Sequence, residues 1–184
     1  MSERIVLGSG KLYCTEFAKA TGVPEDATIE VEANLLGFIQ GGATLDYTPT
    51  FYETEDDLGM VKKKMLTKEE ASLKSGVMTW NGKTLAKLCA TARVTEDAAK
   101  HKRIVKIGGI GNYNNKMYVL RFVHEDSVDG DIRVTIVGSN EAGFSLAFSK
   151  DKETVIDAEF KAFPNLDSEG TLILYEEEDA SITE

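Results

Sequence analysis

The last third of the chain alternates between apolar and polar side chains, and this alternation constrains the fold more than any other feature. A period of two is typical of β-strands with one buried face. Polar turns separate the segments that show it, which are the predicted strands 131–137, 144–148, 154–162 and 171–175. No nucleophile motif, metal-ligand spacing or cofactor loop lies among them. We therefore expect this region to form sheet and surface rather than a reaction site.

Length and composition indicate a single globular domain spanning residues 1–184. The 184 residues suffice to bury a core without metals or disulfides, and 42% hydrophobic with 28% charged residues is ordinary for a soluble protein. The net charge of −10 disfavours tight binding to nucleic acid or anionic membranes. Cys14 and Cys89 are predicted to be buried free thiols, as in a reducing compartment. No leader peptide and no membrane span is expected.

Two long extended segments, 38–53 and 71–80, are predicted to pair across a long loop, 54–70. Pro49 lies in the first of them, which indicates an edge, a bulge or an unpaired position. The loop carries an acidic block, 55–57, and a basic block, 62–64. Because long loops in compact domains are usually functional, this one is a candidate contact between subunits. Its candidate contact residues are Asp56, Asp57, Leu58, Met60, Lys62, Lys63, Lys64 and Met65.

One helix is predicted, beginning after Asn81 as N-cap and running for roughly three turns. Its apolar residues recur at helical spacing. The residues expected to pack it onto a sheet are Trp80, Leu85, Leu88 and Cys89. Residues 95–103 either prolong this helix or form a loop.

The remaining central segments, 104–107 and 117–124, are predicted to be a pair of strands joined by a glycine- and asparagine-rich connection. The acidic end of the chain, 177–184, is expected to fray. The fold class is therefore mainly β: two packed β-sheets, as a sandwich or barrel, with one flanking α-helix.

No residue is assigned to catalysis, metal binding or cofactor binding. Gly8-Ser-Gly-Lys11 lacks the first glycine and the Ser or Thr of a phosphate loop. The glycines of 108–111 are better explained by a turn between strands than by a nucleotide clamp. His101 and His124 have no zinc-site spacing. We expect neither enzymatic activity nor a cofactor.

Taken in order, blocks from about residue 7 to 176 resemble the major tail protein, or tail tube protein, of long-tailed bacteriophages that infect Gram-positive bacteria. None of these blocks is a catalytic motif, so the resemblance rests on their number and order. The blocks are 7–13, 39–45, 56–59, 66–70, 79–82, 105–111, 118–123, 130–136 and 153–161.

This resemblance implies a tail-tube fold in which six subunits close into a ring. Their inner sheets form one continuous β-barrel, and stacked rings form a tube through which DNA is ejected into the host. The implied partners are copies of the same chain, the tape-measure protein, tail terminator or baseplate proteins, and genomic DNA in transit without specific binding. The implied location is the virion tail, assembled in the host cytoplasm, with no membrane contact.

Strand alternation then predicts which side chains face the lumen. If the apolar faces pack inward on the subunit, the opposite faces look into the channel or at solvent, and the channel wall is net negative. The candidate lumen-facing residues are Asp46, Thr48, Thr50, Asp157, Glu159 and Lys161.

Two other functions stay open from sequence. One is a tube subunit of a contractile tail, a bacteriocin or a type VI-like injection device. The other, from a different class, is a monomeric β-sandwich binding protein or hydrolase, since catalytic triads assemble in space and leave no fixed spacing in sequence.

Overall fold

A computed structural model describes Val6, residues 8–179 and Ile182 of the chain. Within this part the protein is mainly β, with ten strands and two short α-helices. The strands are β1 (Lys11–Glu16), β2 (Leu35–Gly37), β3 (Ile39–Glu55), β4 (Lys62–Val77), β5 (Arg93–Asp97), β6 (Lys102–Lys106), β7 (Tyr118–His124), β8 (Ile132–Asn140), β9 (Ile156–Ala162) and β10 (Leu174–Glu177). The helices are α1 (Asp26–Ile29) and α2 (Gly82–Lys87).

Eight of these strands form one antiparallel sheet, in which seven follow the order β2-β1-β7-β8-β9-β4-β3 and β10 pairs with β8 beside them. β8 pairs with β7 along one side, and β10 and β9 share its other side. β10 pairs with the first half of β8, and β9 pairs with residues 138–140. β5 and β6 form a separate two-stranded sheet. The prediction of a mainly β protein is confirmed, as a large antiparallel sheet with a small second one.

The large sheet curls around its main hydrophobic core. Inward-facing side chains from β1, β7, β8, β9 and β4 belong to one cluster, although β1 and β4 lie four places apart in the sheet. Fully buried members include Leu12, Leu120, Ile136, Phe160 and Leu73. The two strands at the ends of the sheet order, β2 and β3, are separated in the chain by Phe38 alone, so the sheet must bend back on itself.

A second hydrophobic cluster covers the opposite face of β1, β7 and β8. Its buried members include Tyr13, Val119 and Val137, and Ile29 of α1 packs against them. Arg121 lies on this face, is only 2% exposed, and forms ion pairs with Asp26 and Glu30. The segment around α1 is thus held on the sheet by both apolar and ionic contacts.

The predicted loop 54–70 is mostly strand, so this boundary was wrong. β3 runs to Glu55 and β4 starts at Lys62, which leaves only residues 56–61 as a turn. Opposite charges on the two strands face each other, with Lys62 2.8 Å from Glu55 and Lys64 2.8 Å from Glu53. Charge blocks that suggest a loop in sequence are cross-strand partners here.

Pro49 lies in β3 at the edge of the sheet, as its position predicted. An edge position suits proline because its missing N–H leaves no gap in a ladder. The pairing shifts register between Thr50 and Phe51, where Thr67 is left without a paired residue. This bulge keeps the apolar face of the hairpin continuous beyond it.

Three further predictions were wrong in detail. Residues 144–148 have no strand partner, although Phe144 and Leu146 pack against the main core. Segments 104–107 and 117–124 do not pair with each other, because β6 pairs with β5 and β7 lies between β1 and β8. Residues 95–103 are neither helix nor plain loop, since they contribute to the β5–β6 hairpin.

The acidic C-terminal segment is ordered at its start. Glu177 belongs to β10, and the Glu178 carboxylate lies 2.7 Å from the Arg133 guanidinium. Of the rest of the predicted frayed tail, residues 180, 181, 183 and 184 lie outside the described residues.

Candidate functional site

The β3–β4 hairpin extends well beyond the body of the protein. β9 pairs with β4 only from Ser72 to Val77, so β4 residues 62–71 continue past their neighbour for roughly 30 Å. In the described residues, strand pairing on the other side of β3 is absent as well. Side chains on both faces of residues 47–69 are exposed. The hairpin is therefore stabilised mainly by its own two strands.

One face of the hairpin carries a row of large apolar side chains, which begins at the core and extends outward along the hairpin. Leu45 and Leu73 pair near the base, Tyr47 pairs with Ala71, and Phe51 pairs with Leu66 beyond the bulge. Leu45, Tyr47, Phe51 and Leu66 are between 36% and 50% exposed. The Lys64 ammonium lies 4.4 Å from the centre of the Phe51 ring. Such an exposed apolar row on a projecting element is typical of a contact surface.

The tip of the hairpin is a defined turn that presents apolar side chains. The Asp56 carboxylate accepts a hydrogen bond of 2.7 Å from the backbone N–H of Val61, and this bond holds the pKa of Asp56 below its usual value. Gly59 has a φ of 67°, a value that favours glycine. Leu58 and Met60 are each 80% exposed. The turn fixes their backbone and leaves their side chains in water.

The structure gathers all eight candidate contact residues at the distal part of this hairpin. Asp56, Asp57, Leu58 and Met60 form the turn, and Lys62, Lys63, Lys64 and Met65 begin β4. The basic block is partly neutralised, because Lys62 and Lys64 pair with acids of β3. Lys63 faces the other side and has no ion-pair partner among the described residues. The predicted loop was therefore correct for the first four residues and wrong for the other four, which lie in a strand.

The six candidate lumen-facing residues share one face of the sheet. Asp46, Thr48 and Thr50 are opposite Ser72, Glu70 and Lys68 of β4, and Lys161, Glu159 and Asp157 of β9 are opposite Ser72, Lys74 and Gly76. Paired residues point to the same face of a sheet. Alternate residues of β9, from Ile156 to Ala162, are buried on the other side. The alternation of apolar and polar residues therefore predicted correctly that these side chains share one face of the sheet.

Lysines from β4 lie in the middle of this polar face. Lys74 is 2.9 Å from Asp46 and 3.4 Å from Glu159, and its pKa is raised by its hydrogen bond to Asp46 first and to Glu159 second. Glu70 lies between Lys68 at 2.9 Å and Lys161 at 3.1 Å, and hydrogen bonds from these two lysines lower its pKa. Sequence reasoning missed both bridging residues. Glu70 was assigned to the predicted loop 54–70, and no lumen-facing residue was assigned to the predicted strand that contains Lys74.

These ion pairs bring the polar face close to neutrality. Three acids, Asp46, Glu70 and Glu159, balance three lysines, Lys68, Lys74 and Lys161, and Asp157 adds one more negative charge. The wall that the sequence predicts to be net negative is therefore only weakly negative among these residues. All these groups are well exposed, so these pairs contribute little to stability.

The helix is shorter than predicted, and three of the four residues predicted to pack it onto a sheet belong to the main core. Asn81 caps α2 and forms a capping box with Thr84, as its position predicted, but the helix ends after Lys87. Leu88 is 1% exposed within the main core, and Trp80 and Leu85 pack against it. Cys89 is half-buried outside this cluster, with its Sγ 3.5 Å from the Thr91 hydroxyl.

The described residues contain no group of three or more His, Cys, Asp and Glu side chains arranged to hold a metal ion. Among their helices, none is both long and apolar enough to cross a bilayer. Neither a scan against protein-family models nor a search of curated proteins finds a match to this chain.

Proposed function

We propose that this chain is the structural subunit of a phage tail tube, which assembles into stacked hexameric rings and forms a conduit for DNA ejection. In this proposal the two halves of the curled sheet act as the two packed sheets of the tail-tube fold. The subunit has no enzymatic role. Its partners are other copies of itself, the tape-measure protein, terminator or baseplate proteins, and DNA in transit.

The observation that carries the proposal is the projecting β3–β4 hairpin. A long, flat edge strand with apolar side chains is a hazard for a monomer, because its backbone groups can pair with another chain. β3 has such an edge along residues 39–55, interrupted at Pro49 and by a bulge at Gly41 and Gly42. A subunit that closes into a ring uses such an edge, and one that stacks into a tube needs elements that reach the next ring.

The polar face of β3, β4 and β9 supports the second part of the proposal. DNA moves freely past a wall that offers few unpaired cations, because backbone binding depends on releasing counterions to lysine and arginine. Lys68, Lys74 and Lys161 in this face are already paired with carboxylates, whereas Lys63 near the hairpin tip has no ion-pair partner among the described residues. A near-neutral, hydrogen-bonded wall is compatible with passage of DNA without retention.

Native mass measurement of the purified full-length chain tests the ring. We expect a discrete species of six times the 20.2 kDa subunit mass as the concentration rises. Replacing residues 53–64 by Asn-Gly, which shortens the hairpin, should remove assemblies larger than a ring. A chain that stays monomeric at every concentration and salt, or that forms only dimers, contradicts the proposal.

A further inference from the structure

Residues 144–148, which we call the edge segment, have the sequence of a strand but no strand partner. Its first and third residues, Phe144 and Leu146, pack against the main core, as the inward face of a strand does. The other three residues are exposed, and Phe148 is 80% exposed. Because an alternating segment of this kind normally belongs to a ladder, its lack of pairing needs a physical reason.

The edge segment lies beside β9 without pairing to it. The ladder between β8 and β9 ends at Asn140, and the chain then continues along the line of β8. The Thr154 hydroxyl donates a 2.7 Å hydrogen bond to the carbonyl of Ala147, which keeps the two runs adjacent. Between these points, residues 142–145 and 157–159 line a cleft. The edge segment is therefore the fourth run of this half of the sheet, after β3, β4 and β9.

The outer backbone groups of the edge segment have no partner. In an extended strand the N–H and C=O of one residue point to one side, and those of the next residue point to the other. Because the Ala147 carbonyl points to Thr154, the backbone groups of Leu146 and Phe148 point away from β9. Among the described residues, neither of these two N–H groups has a hydrogen-bond acceptor. They form a short open edge, on the opposite side of the four runs from β3.

The open edge of β3 complements this one in strand direction. β3 and β9 are both antiparallel to β4, and the edge segment returns antiparallel to β9. The edge segment therefore runs opposite to β3. When two copies lie side by side in the same orientation, β3 of one copy is antiparallel to the edge segment of the other. Direct pairing of β3 with β9 of a second copy would be parallel instead.

The same arrangement covers apolar side chains of both copies. Leu45 and Tyr47 of β3 lie on the core face of the sheet, because they pair with the buried Leu73 and Ala71. Phe148 falls on that face too, since it lies two residues after an inward-facing residue. Side chains on one face of paired strands are neighbours. The exposed apolar row of one hairpin thus comes next to the exposed phenylalanine of the next copy.

We propose that the edge segment of one copy pairs with the β3 edge of a second copy and becomes a strand in doing so. The inference rests on the proposed function for one step only, the closure of this contact into a ring. The pairing itself follows from the two open edges, their directions and their apolar faces. It also explains why a strand-like sequence is unpaired in the isolated chain, because its partner strand belongs to another molecule.

Cysteine cross-linking tests the pairing in the full-length chain, with Cys89→Ser as background. Ala147 lies on the same polar face as Asp46, Thr48 and Thr50 of β3, since it alternates with the inward-facing residues of the edge segment. Ala147→Cys, combined in turn with a cysteine at each of these three β3 positions, should give disulfide-linked chains for at least one of them. The oxidant is copper phenanthroline, and linked chains are read on a non-reducing gel.

Two controls make the cross-linking specific. Ala147→Cys with Tyr47→Cys places both cysteines at exposed positions but on opposite faces, and it should give no linked chains. Each β3 cysteine alone should give none either. Equal linking in the opposite-face control would mean random collision and overturn the pairing. Linked dimers from a single β3 cysteine would show that β3 pairs with β3 of another copy, which also overturns it.

A charge on the apolar face provides a second test. Phe148→Asp should weaken self-association at least tenfold in sedimentation velocity, because the carboxylate would lie against the apolar row of the neighbouring hairpin. Val128→Asp is the matched control, since Val128 is 87% exposed in the turn between β7 and β8 and makes no part of the proposed contact. Unchanged thermal melts of both variants exclude misfolding. Equal association of both variants with the original chain contradicts the pairing.

The outcomes separate this inference from the proposed function. If rings form but no β3 cysteine links to position 147, and Phe148→Asp still forms rings, the tube proposal stands and the pairing is wrong. If the same-face cysteines link chains into rows of variable length but native mass measurement finds no ring, the pairing stands and the tube proposal is wrong.

Discussion

Leu88 shows how a single side chain joins the short helix to the sheet. It follows the last residue of α2, yet it is only 1% exposed and belongs to the same cluster as Leu73 and Phe160. The carbonyl of Leu88 also accepts a 2.8 Å hydrogen bond from the buried Asn140 side chain at the end of β8. The position therefore connects helix, core and sheet.

Truncation of this side chain should be costly. We expect Leu88→Ala to lower the free energy of unfolding by about 2–5 kcal/mol, because it removes buried methyl groups and leaves a cavity. Urea titration monitored by circular dichroism measures this directly. Leu58→Ala serves as control, since Leu58 is 80% exposed and its loss should change stability by less than about 0.5 kcal/mol. Equal effects at the two sites would show that Leu88 does not anchor the helix.

The two cysteines should differ in reactivity. Burial raises the pKa of Cys14 to about 12, against a small opposing effect of Lys87, and the side chain is fully buried. At pH 8 only about one molecule in ten thousand then carries the reactive thiolate. Iodoacetamide should modify the half-buried Cys89 in the native protein and reach Cys14 only after denaturation. Mass spectrometry of the modified peptides reads out both sites, and rapid native modification of Cys14 would contradict its burial.

At the scale of elements, the β3–β4 hairpin is the part of the fold least supported by the core. Its distal pairs are charged or partly exposed, and the ion pairs across it are those of exposed side chains, which stabilise little. Its order comes from the turn at Asp56 and Gly59 and from the strand ladder. An element built this way serves contacts with other molecules better than it serves folding of its own subunit.

Removing the end of the hairpin should therefore leave the subunit folded. Replacement of residues 53–64 by Asn-Gly keeps the inner pairs and supplies a turn that suits a two-residue hairpin. We expect the thermal midpoint to fall by no more than a few degrees while assemblies larger than a ring are lost. A large loss of stability would mean that the hairpin belongs to the folding unit. Normal assembly of this variant would mean that the tip is not a contact.

β10 should become less protected in acid. The Arg133 guanidinium holds the pKa of Glu178 below its usual value, so the ionised carboxylate stabilises the folded state above the unfolded pKa near 4.5. This contribution is lost as pH falls through the lower pKa of the folded state. Hydrogen exchange at the amides of 174–177, corrected for the intrinsic pH dependence, should show protection falling below about pH 4.5. Arg133→Met should remove that pH dependence. An unchanged profile would show that the protection of β10 does not depend on this ion pair.

Alternation predicted the faces of these elements better than their partners. Asp46 and Lys161 were correctly placed on one polar face because side-chain direction follows from a period of two alone. The pairing of β7 with β1 rather than β6 depends on contacts between residues about a hundred positions apart, which a local pattern does not contain. The strand at 62–70 was missed because charged residues normally mark loops, whereas here Glu53 and Glu55 complement them. Residues 144–148 alternate between apolar and polar side chains but do not pair as a strand. Their conformation also depends on contacts with the rest of the chain, which the local pattern does not contain.

At the scale of the whole molecule, two features point to association. The sheet has a long open edge at β3, and the hairpin projects apolar side chains into water. Each is unfavourable or unnecessary in an isolated monomer. In the tail-tube proposal, further copies of the chain cover these surfaces in a closed arrangement.

Negative-stain electron microscopy of the concentrated, purified full-length chain tests this central claim most directly. The account predicts rings of uniform diameter with a central channel, and tubes of stacked rings at higher concentration or lower salt. Fields of single particles the size of one 20.2 kDa subunit, under all these conditions, would contradict it.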